Sequence, residues 1–325
     1  MIGIELTPEH PVDRVVELGT AAERVGFDTV FTSCHYNNRD PFVVLTRLAN
    51  ETETIRLGPG VMNPYEIHPV RLASTMGTLS EASDGRAVLG VGAGDRSTLR
   101  NLGLADQRGL RSVLETIKVT QQLWRGERVD HEGTFRARDA QLNYTAEKSP
   151  VYVGGEGPHM CRMAAKHADG LLFNGSHPDD VAWAREQVEH GLDDRPADRG
   201  AFDFAAYTSV SIARDADAAR EAARPPVAFI TAGAPESVLD RHGIDAERAA
   251  TIGESISEGA FSTAFEAVTG SMIEAFCIAG TPETVTRRLN AVFDHVDSIV
   301  VSAPLGPDLD TAIELAKTAV DQADR

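Results

Sequence analysis

The chain of 325 residues is poor in lysine, cysteine and tryptophan, and it has no long apolar run. Only four lysines occur, Lys118, Lys148, Lys166 and Lys317, so arginine carries nearly all of the positive charge. With 49 acidic against 31 basic residues, the formal net charge is −18. That balance argues against a nucleic-acid binder, which needs a basic face. It predicts a protein that stays dispersed in strong salt, where repulsion between like charges is screened, and so a salt-adapted source. The three cysteines, Cys34, Cys161 and Cys277, lie far apart, are odd in number and never form C-x-x-C. Neither a disulfide framework nor a thiolate metal site is expected from them. No apolar run approaches the roughly 18 residues that span a bilayer, so no membrane association is expected. The first apolar strand, Ile2 to Leu6, starts next to the initial methionine with no signal peptide before it, which predicts a cytoplasmic location.

What is present is an alternation of short apolar strands and amphipathic helices. Strands are expected at Ile2–Leu6, Thr29–Thr32, Ile55–Pro59, Ala87–Gly92, Val151–Gly154, Gly170–Phe173, Phe204–Ile212 and Ser298–Ser302. The helix over Val12–Val25 shows the pattern: Val12, Val15, Val16, Leu18, Ala22 and Val25 give an apolar face, and Gly26 stops it. Pro41 and Pro69 each open a helix, as proline does at a first helical position. Between the fourth and fifth strands runs a non-helical excursion, residues 127–148, with Thr134-Phe135 and Gln141-Leu142 as its hairpin pieces. Residues of about 213–296 read as an insertion between strands seven and eight. It carries helical stretches at 216–223, 227–232, 237–241 and 282–293, and a last helix covers about 310–320. Strands alternating with helices at this spacing give parallel βα units, here a (β/α)₈ TIM barrel in a single domain over 1–325.

One stretch organises the rest: Arg56-Leu57-Gly58-Pro59-Gly60-Val61-Met62-Asn63-Pro64-Tyr65, a short strand running into Gly-Pro-Gly and then Asn-Pro. Glycine and proline at this density mark a backbone with unusual demands, either a tight turn or bare main chain offered to a flat ligand. The other strand ends support the second reading. Glu5 closes the first strand, Cys34-His35 follows the second, Gly92-Ala93-Gly94-Asp95 the fourth and Gly154-Gly155-Glu156-Gly157-Pro158 the fifth. In a (β/α)₈ barrel these ends converge on the face that carries the active site. The last of them joins a strand to a helix start, where backbone N–H groups and the positive helix end make a phosphate cradle.

The motifs Gly3-Ile4-Glu5, His35-Tyr36-Asn37-Asn38, Leu57-Gly58-Pro59-Gly60-Val61, Asn63-Pro64-Tyr65 and Gly85-Arg86-Ala87 resemble one family from end to end. So do Gly94-Asp95, Gly157-Pro158, Ala168-Asp169-Gly170, Ala206-Tyr207-Thr208 and Ser302-Ala303-Pro304-Leu305-Gly306-Pro307. The family is the coenzyme F420-dependent methylenetetrahydromethanopterin reductases of the luciferase-like barrels. The resemblance implies dissociable F420 and no metal. It also implies hydride transfer to the 5,10-methylene group of a tetrahydropterin, and a homodimer or homotetramer. The pterin would be tetrahydromethanopterin, or tetrahydrofolate in a salt-adapted organism. The resemblance further implies a non-proline cis peptide at Gly60–Val61 against the deazaflavin ring, with Asn63 beside it and His35 at the ring's polar edge. The cofactor phosphate would lie at Gly155, Glu156 and Gly157, with Asn174 and Ser176 along the same groove. Glu156 departs from the small residue suited to a phosphate, so its side chain is expected to turn away. Cys34 stands where many relatives carry aspartate and is expected to pack as a small apolar group. Glu5 would supply the proton that N10 needs as the five-membered ring opens, a task for a sheltered carboxylic acid. Asp95, the second catalytic candidate, would hold the pterin's N–H groups or assist the acid, or else cap the helix that follows. Two other classes share the barrel: an FMN-dependent monooxygenase and a non-catalytic flavin-binding protein.

Overall fold

The computed structural model describes residues 1–104 and 109–323, which pack as two compact units. The first comprises Met1–Asn174 with Trp183–Ala205, the second Gly175–Ala182 with the chain from Ala206 onward.

The first unit begins β1 (Ile2–Leu6), α1 (Val12–Val25), β2 (Thr29–Thr32), α2 (Pro41–Glu51), β3 (Arg56–Pro59), α3 (Pro69–Ala82) and β4 (Leu89–Gly92). It continues through α4 (Arg96–Asn101), α5 (Gly109–Trp124), the hairpin β5 (Val129–Glu132) and β6 (Arg136–Ala140), β7 (Val151–Gly154), α6 (Pro158–His167) and β8 (Gly170–Asn174). β1 pairs with β2, β2 with β3, β4 with β7 and β7 with β8, all parallel. Isolated parallel bridges at Leu57–Ala87 and Met62–Val91 join β3 to β4. Six strands thus run side by side in the order β1-β2-β3-β4-β7-β8. β1, β2 and β4 are buried along their whole length, so apolar residues fall on both of their faces without strict alternation, and the charged Glu5 of β1 is the exception.

The helices form for local reasons. α1 buries Val15, Val16, Leu18 and Ala22 on one face, and Gly26 at φ 96° ends it by donating to the Ala22 and Glu23 carbonyls. α2 has Pro41 at its first position, and the Asp40 carboxylate accepts from the Phe42 and Val43 amides. Arg86, from the Gly85-Arg86-Ala87 motif, ties the ends of α2 and α3 together. Its guanidinium donates to the carbonyls of Ala49, Thr52, Ile55 and Ser83 at 2.8–2.9 Å, so this motif residue serves structure.

The hairpin lies where expected along the chain but in another register. It pairs Val129–Glu132 with Arg136–Ala140, so Thr134-Phe135 forms the turn and Gln141-Leu142 lies beyond the second strand. The reason is the Glu115 carboxylate of α5, which accepts from the Thr134 amide and hydroxyl, each at 2.7 Å, and meets His131 Nε2 at 3.1 Å. The Phe135 ring fills the gap, stacked on His131 and edge-on to His68. The fourth strand starts at Leu89, with Ala87 contributing only its isolated bridge.

α7 (Pro178–Leu192) and β9 (Asp203–Ile212) lead into the second unit. There follow α8 (Ala216–Gly233), α9 (Glu236–Arg241), α10 (Ala246–Ser257), α11 (Phe261–Glu266), α12 (Gly270–Phe276), β10 (Ile278–Gly280), α13 (Pro282–Phe293), β11 (Ser298–Leu305) and α14 (Leu309–Gln322). β11 neighbours β9, and the short β10 also pairs parallel with β9. The two expected stretches 216–223 and 227–232 are one helix, α8, that runs through Pro225 and Pro226. Its buried Ala219, Ala223, Val227 and Thr231 recur every four residues, and this packing holds the helix together across prolines that would otherwise break it. The insertion's core gathers Ala223, Val227, Leu239, Ile252, Met272 and Phe276. Asp180, at the start of α7, accepts from Arg241 Nη1 and lies 2.7 Å from His242 Nε2, pinning the end of α9 within this unit. Among the described residues no helix is long and apolar enough to cross a membrane.

Candidate active site

The C-terminal ends of the six strands of the first unit form a connected chain of contacts, and most of the candidate residues sit on it. Glu5 is buried, 5% exposed, and its Oε1 accepts from the Thr7 hydroxyl at 2.9 Å. Beyond β2, Cys34 donates through Sγ to the Thr32 carbonyl at 3.2 Å. Burial pushes its thiol well up, the Gly60 backbone opposing this while the charges of Glu66, Glu5 and Asp40 add to it. A thiol so held resists ionisation, in keeping with the packing role expected of Cys34. His35 is exposed, and Tyr36 beside it is an exposed aromatic whose hydroxyl accepts from Asn101 Nδ2 of α4 at 3.3 Å.

The peptide between Gly60 and Val61 is cis, as the motif implies. The main chain around it is tied on both sides. Gly60 N–H donates to the Thr32 carbonyl at 2.9 Å, Met62 N–H to Gly90 at 2.9 Å, and Gly92 N–H to Met62 at 2.8 Å. Asn63 is 2% exposed. Its side-chain oxygen accepts from the Tyr65 and Glu66 amides at 3.1 Å, and its nitrogen donates to the Glu66 carboxylate. The side chain therefore builds the Asn-Pro turn.

Asp95 is exposed and caps α4, its Oδ2 accepting from the Thr98 amide at 2.8 Å. Gly94, at φ 80°, brings this loop against Asn63: an added Cβ would stand 3.3 Å from the Asn63 Cβ. After β7, Gly155 donates its N–H to the Leu172 carbonyl at 3.2 Å, which removes it from any cradle. The amides of Glu156, Gly157 and His159 have no protein acceptor among the described residues. A Cβ added at Gly157 would meet nothing within 4 Å, so open space lies before the start of α6. Glu156 is exposed and turns toward β8, where its Oε1 accepts from Asn174 Nδ2 at 2.9 Å. Protein atoms crowding the carboxyl raise its pKa, the Asn174 bond opposes the rise and the nearby Asp95 charge adds to it.

Ser176 belongs to the second unit and is buried, its Oγ accepting from the Ser209 amide at 3.1 Å. Sequence reasoning missed Glu66, gave Tyr36 no role of its own and set no bounds for the helix that Asp95 caps. The Asn-Pro pair at 63–64 is the signal that would have found Glu66, because such a turn needs a donor and an acceptor two or three residues on. The bond between Tyr36 and Asn101 spans 65 residues and leaves no local trace.

The parallel strands alternating with helices are those of a luciferase-like (β/α)₈ barrel, and the chain belongs to the luciferase-like monooxygenase family, whose profile matches residues 2–297. It is similar to 5,10-methylenetetrahydromethanopterin reductase of Archaeoglobus fulgidus, 40% identical over 319 residues that cover 96% of each chain. The reductase of that name from Methanopyrus kandleri is 39% identical, again over 96% of this chain and 95% of its own. The structure of the coenzyme F420-dependent tetrahydromethanopterin reductase from Methanopyrus kandleri superposes with a TM-score of 0.90, at 38% identity and 98% coverage of both chains.

Proposed function

We propose that this protein is a coenzyme F420-dependent reductase that converts a 5,10-methylene tetrahydropterin to its 5-methyl form. The observation that carries the proposal is the end-to-end likeness to reductases of that name, at 40% identity over 96% of both chains.

The residues present fit such a cofactor. The shelf at Gly60–Val61 suits a flat ring, and His35, exposed on the neighbouring loop, suits the ring's polar edge. The amides of Glu156, Gly157 and His159, at the positive end of α6 with open space before Gly157, suit a phosphate. Asn174, already bonded to Glu156, would hold that side chain aside. When bound, the reduced deazaflavin supplies the hydride that turns the methylene carbon into a methyl group.

The protein's own task is the proton. As the bond between N10 and the methylene carbon opens, its electron pair stays on N10, which must be protonated to leave as an amine. Glu5, sheltered at the end of β1, delivers that proton. Asp95 accepts the pterin's N–H groups while Thr98 holds its carboxylate in place. The assembled enzyme is expected to be a homodimer or homotetramer, which mass measurement in solution checks.

The test is oxidation of reduced F420 with methylene-tetrahydromethanopterin and, separately, methylene-tetrahydrofolate. Turnover with at least one is expected, and the faster one names the pterin. Oxygen-dependent consumption of reduced FMN without pterin-dependent turnover would instead make the protein a monooxygenase. Cofactor binding with no turnover at all would make it a binding protein.

A further inference from the structure

The stacking shelf has a seat beneath it. Val61 sends its isopropyl group toward the adjoining strands β4 and β7, where it meets glycines. A Cβ built on Gly92 would lie 2.6 Å from Val61 Cγ2. One on Gly154 would lie 2.9 Å and 3.1 Å from Cγ2 and Cγ1. Carbon atoms do not approach so closely, so neither position accepts a side chain while Val61 stays where it is. Neither glycine is in the left-handed region, so backbone conformation does not call for glycine there. Gly90 differs: a Cβ there would also strike the Pro59 carbonyl oxygen at 2.1 Å, so strand packing alone excludes it. At Gly154 the side chain of Val61 is the whole of the close contact, and at Gly92 it is the nearest part, with the Gly154 carbonyl oxygen next at 3.2 Å. Valine is branched at Cβ and stiff at χ1, so a fixed side chain fixes its own backbone. The main chain on either side is already tied to Thr32, Gly90 and Gly92 by the bonds described above.

We infer that Gly92 and Gly154 are positioning residues. They form a seat for the Val61 side chain and thereby set the height of the 60–61 backbone on which the cofactor ring rests. The inference rests on the proposed F420 reading and deepens it. A methyl group on either glycine would lift Val61 toward the ring, and removing the Val61 methyls would relieve the collision.

The experiment is a double-mutant cycle on the full chain: Gly92→Ala, Gly154→Ala, Val61→Ala, and each glycine variant combined with Val61→Ala. Two quantities are read, F420 affinity by fluorescence titration and the thermal midpoint. Each glycine variant is expected to bind F420 about tenfold or more weakly. Each double variant should return to the affinity of Val61→Ala alone, a strong departure from additivity. Normal F420 affinity in Gly92→Ala and Gly154→Ala, with only the thermal midpoint lowered, would overturn the positioning role and leave a structural seat. Weakened binding that Val61→Ala does not rescue would also overturn it, because the glycines would then act through something other than Val61. Failure of the unaltered protein to bind F420 would instead sink the functional reading and the seat's role with it, so the two failures are told apart by the first titration.

Discussion

At the strand ends of the first unit, residues 58–63, 90–95 and 154–157 are held by main-chain hydrogen bonds and by glycines that let strands and loops approach. The insertion of the second unit is held by aliphatic side chains instead, with Ala223, Val227 and Ile252 at 0% exposure. The first construction has few side chains to adjust, so its shape is set by which atoms are missing. The second has many, so its stability is spread over a packed interior that tolerates swaps of equal volume but not the loss of a buried side chain. An edge of the first kind suits a ligand that must lie flat, and an interior of the second kind suits a support.

The comparison can be broken in several ways. The largest effect is expected at the edge. Glu5→Gln keeps size and hydrogen bonding but cannot donate an acid proton, so kcat should fall by about 10²–10⁴-fold, or roughly 3–5 kcal/mol of barrier, with F420 affinity nearly unchanged. Asp95→Asn should raise KM for the pterin more than it lowers kcat. Near-normal turnover in Glu5→Gln alongside an inactive Asp95→Asn would exchange the two roles.

In the insertion, Ile252→Ala removes a fully buried side chain from the α10 face and should lower unfolding stability by about 2–5 kcal/mol. A loss well under about 1 kcal/mol in denaturant titration would mean that this interior is not closely packed.

The Glu115 anchor of the hairpin sharpens the picture through pH. Burial opposes its ionisation, but hydrogen bonds from the Thr134 amide, Arg111, the Thr134 hydroxyl and His131 outweigh that and lower its pKa from 4.5 to about 2. A depressed folded-state value contributes stability that is fully present above the unfolded value, 4.5, and is lost as pH falls through about 2. Glu115→Gln should therefore cost about 1–3 kcal/mol at neutral pH, and the gap from the parent protein should close toward pH 2. A pH-independent gap would show that the carboxylate charge contributes nothing there.

The smallest effect expected is that of salt. A net charge of −18 with four lysines predicts a higher thermal midpoint in molar KCl than in dilute buffer. Equal midpoints would remove the salt-adapted reading.

The edge was largely legible in the sequence because its chemistry is written in residues that few other roles require. Gly58-Pro59-Gly60-Val61 announced the cis peptide, Glu5 the buried end of β1, and Gly157-Pro158 the start of α6. What the letters could not convey was which groups were already in use. Asn63 spends its amide on its own turn and Gly155 gives its N–H to Leu172, whereas the cap that Asp95 places on α4 was one of the roles expected of it. Such commitments depend on partners two to 17 residues away in the chain, and they decide what remains for a ligand. The insertion was harder to read. Pro225-Pro226 looked like a break between two helices, yet burial on a four-residue spacing carries α8 through both. The hairpin slipped register for a related reason, since the Glu115 that holds Thr134 lies 19 residues upstream on α5.

The measurement that bears most directly on the account is a crystal structure with F420 bound. The deazaflavin ring should lie on the Gly60–Val61 peptide above the Val61 seat, with the phosphate at the amides of Glu156, Gly157 and His159. A ring bound away from Gly60–Val61, or a phosphate held elsewhere in the protein, would contradict it.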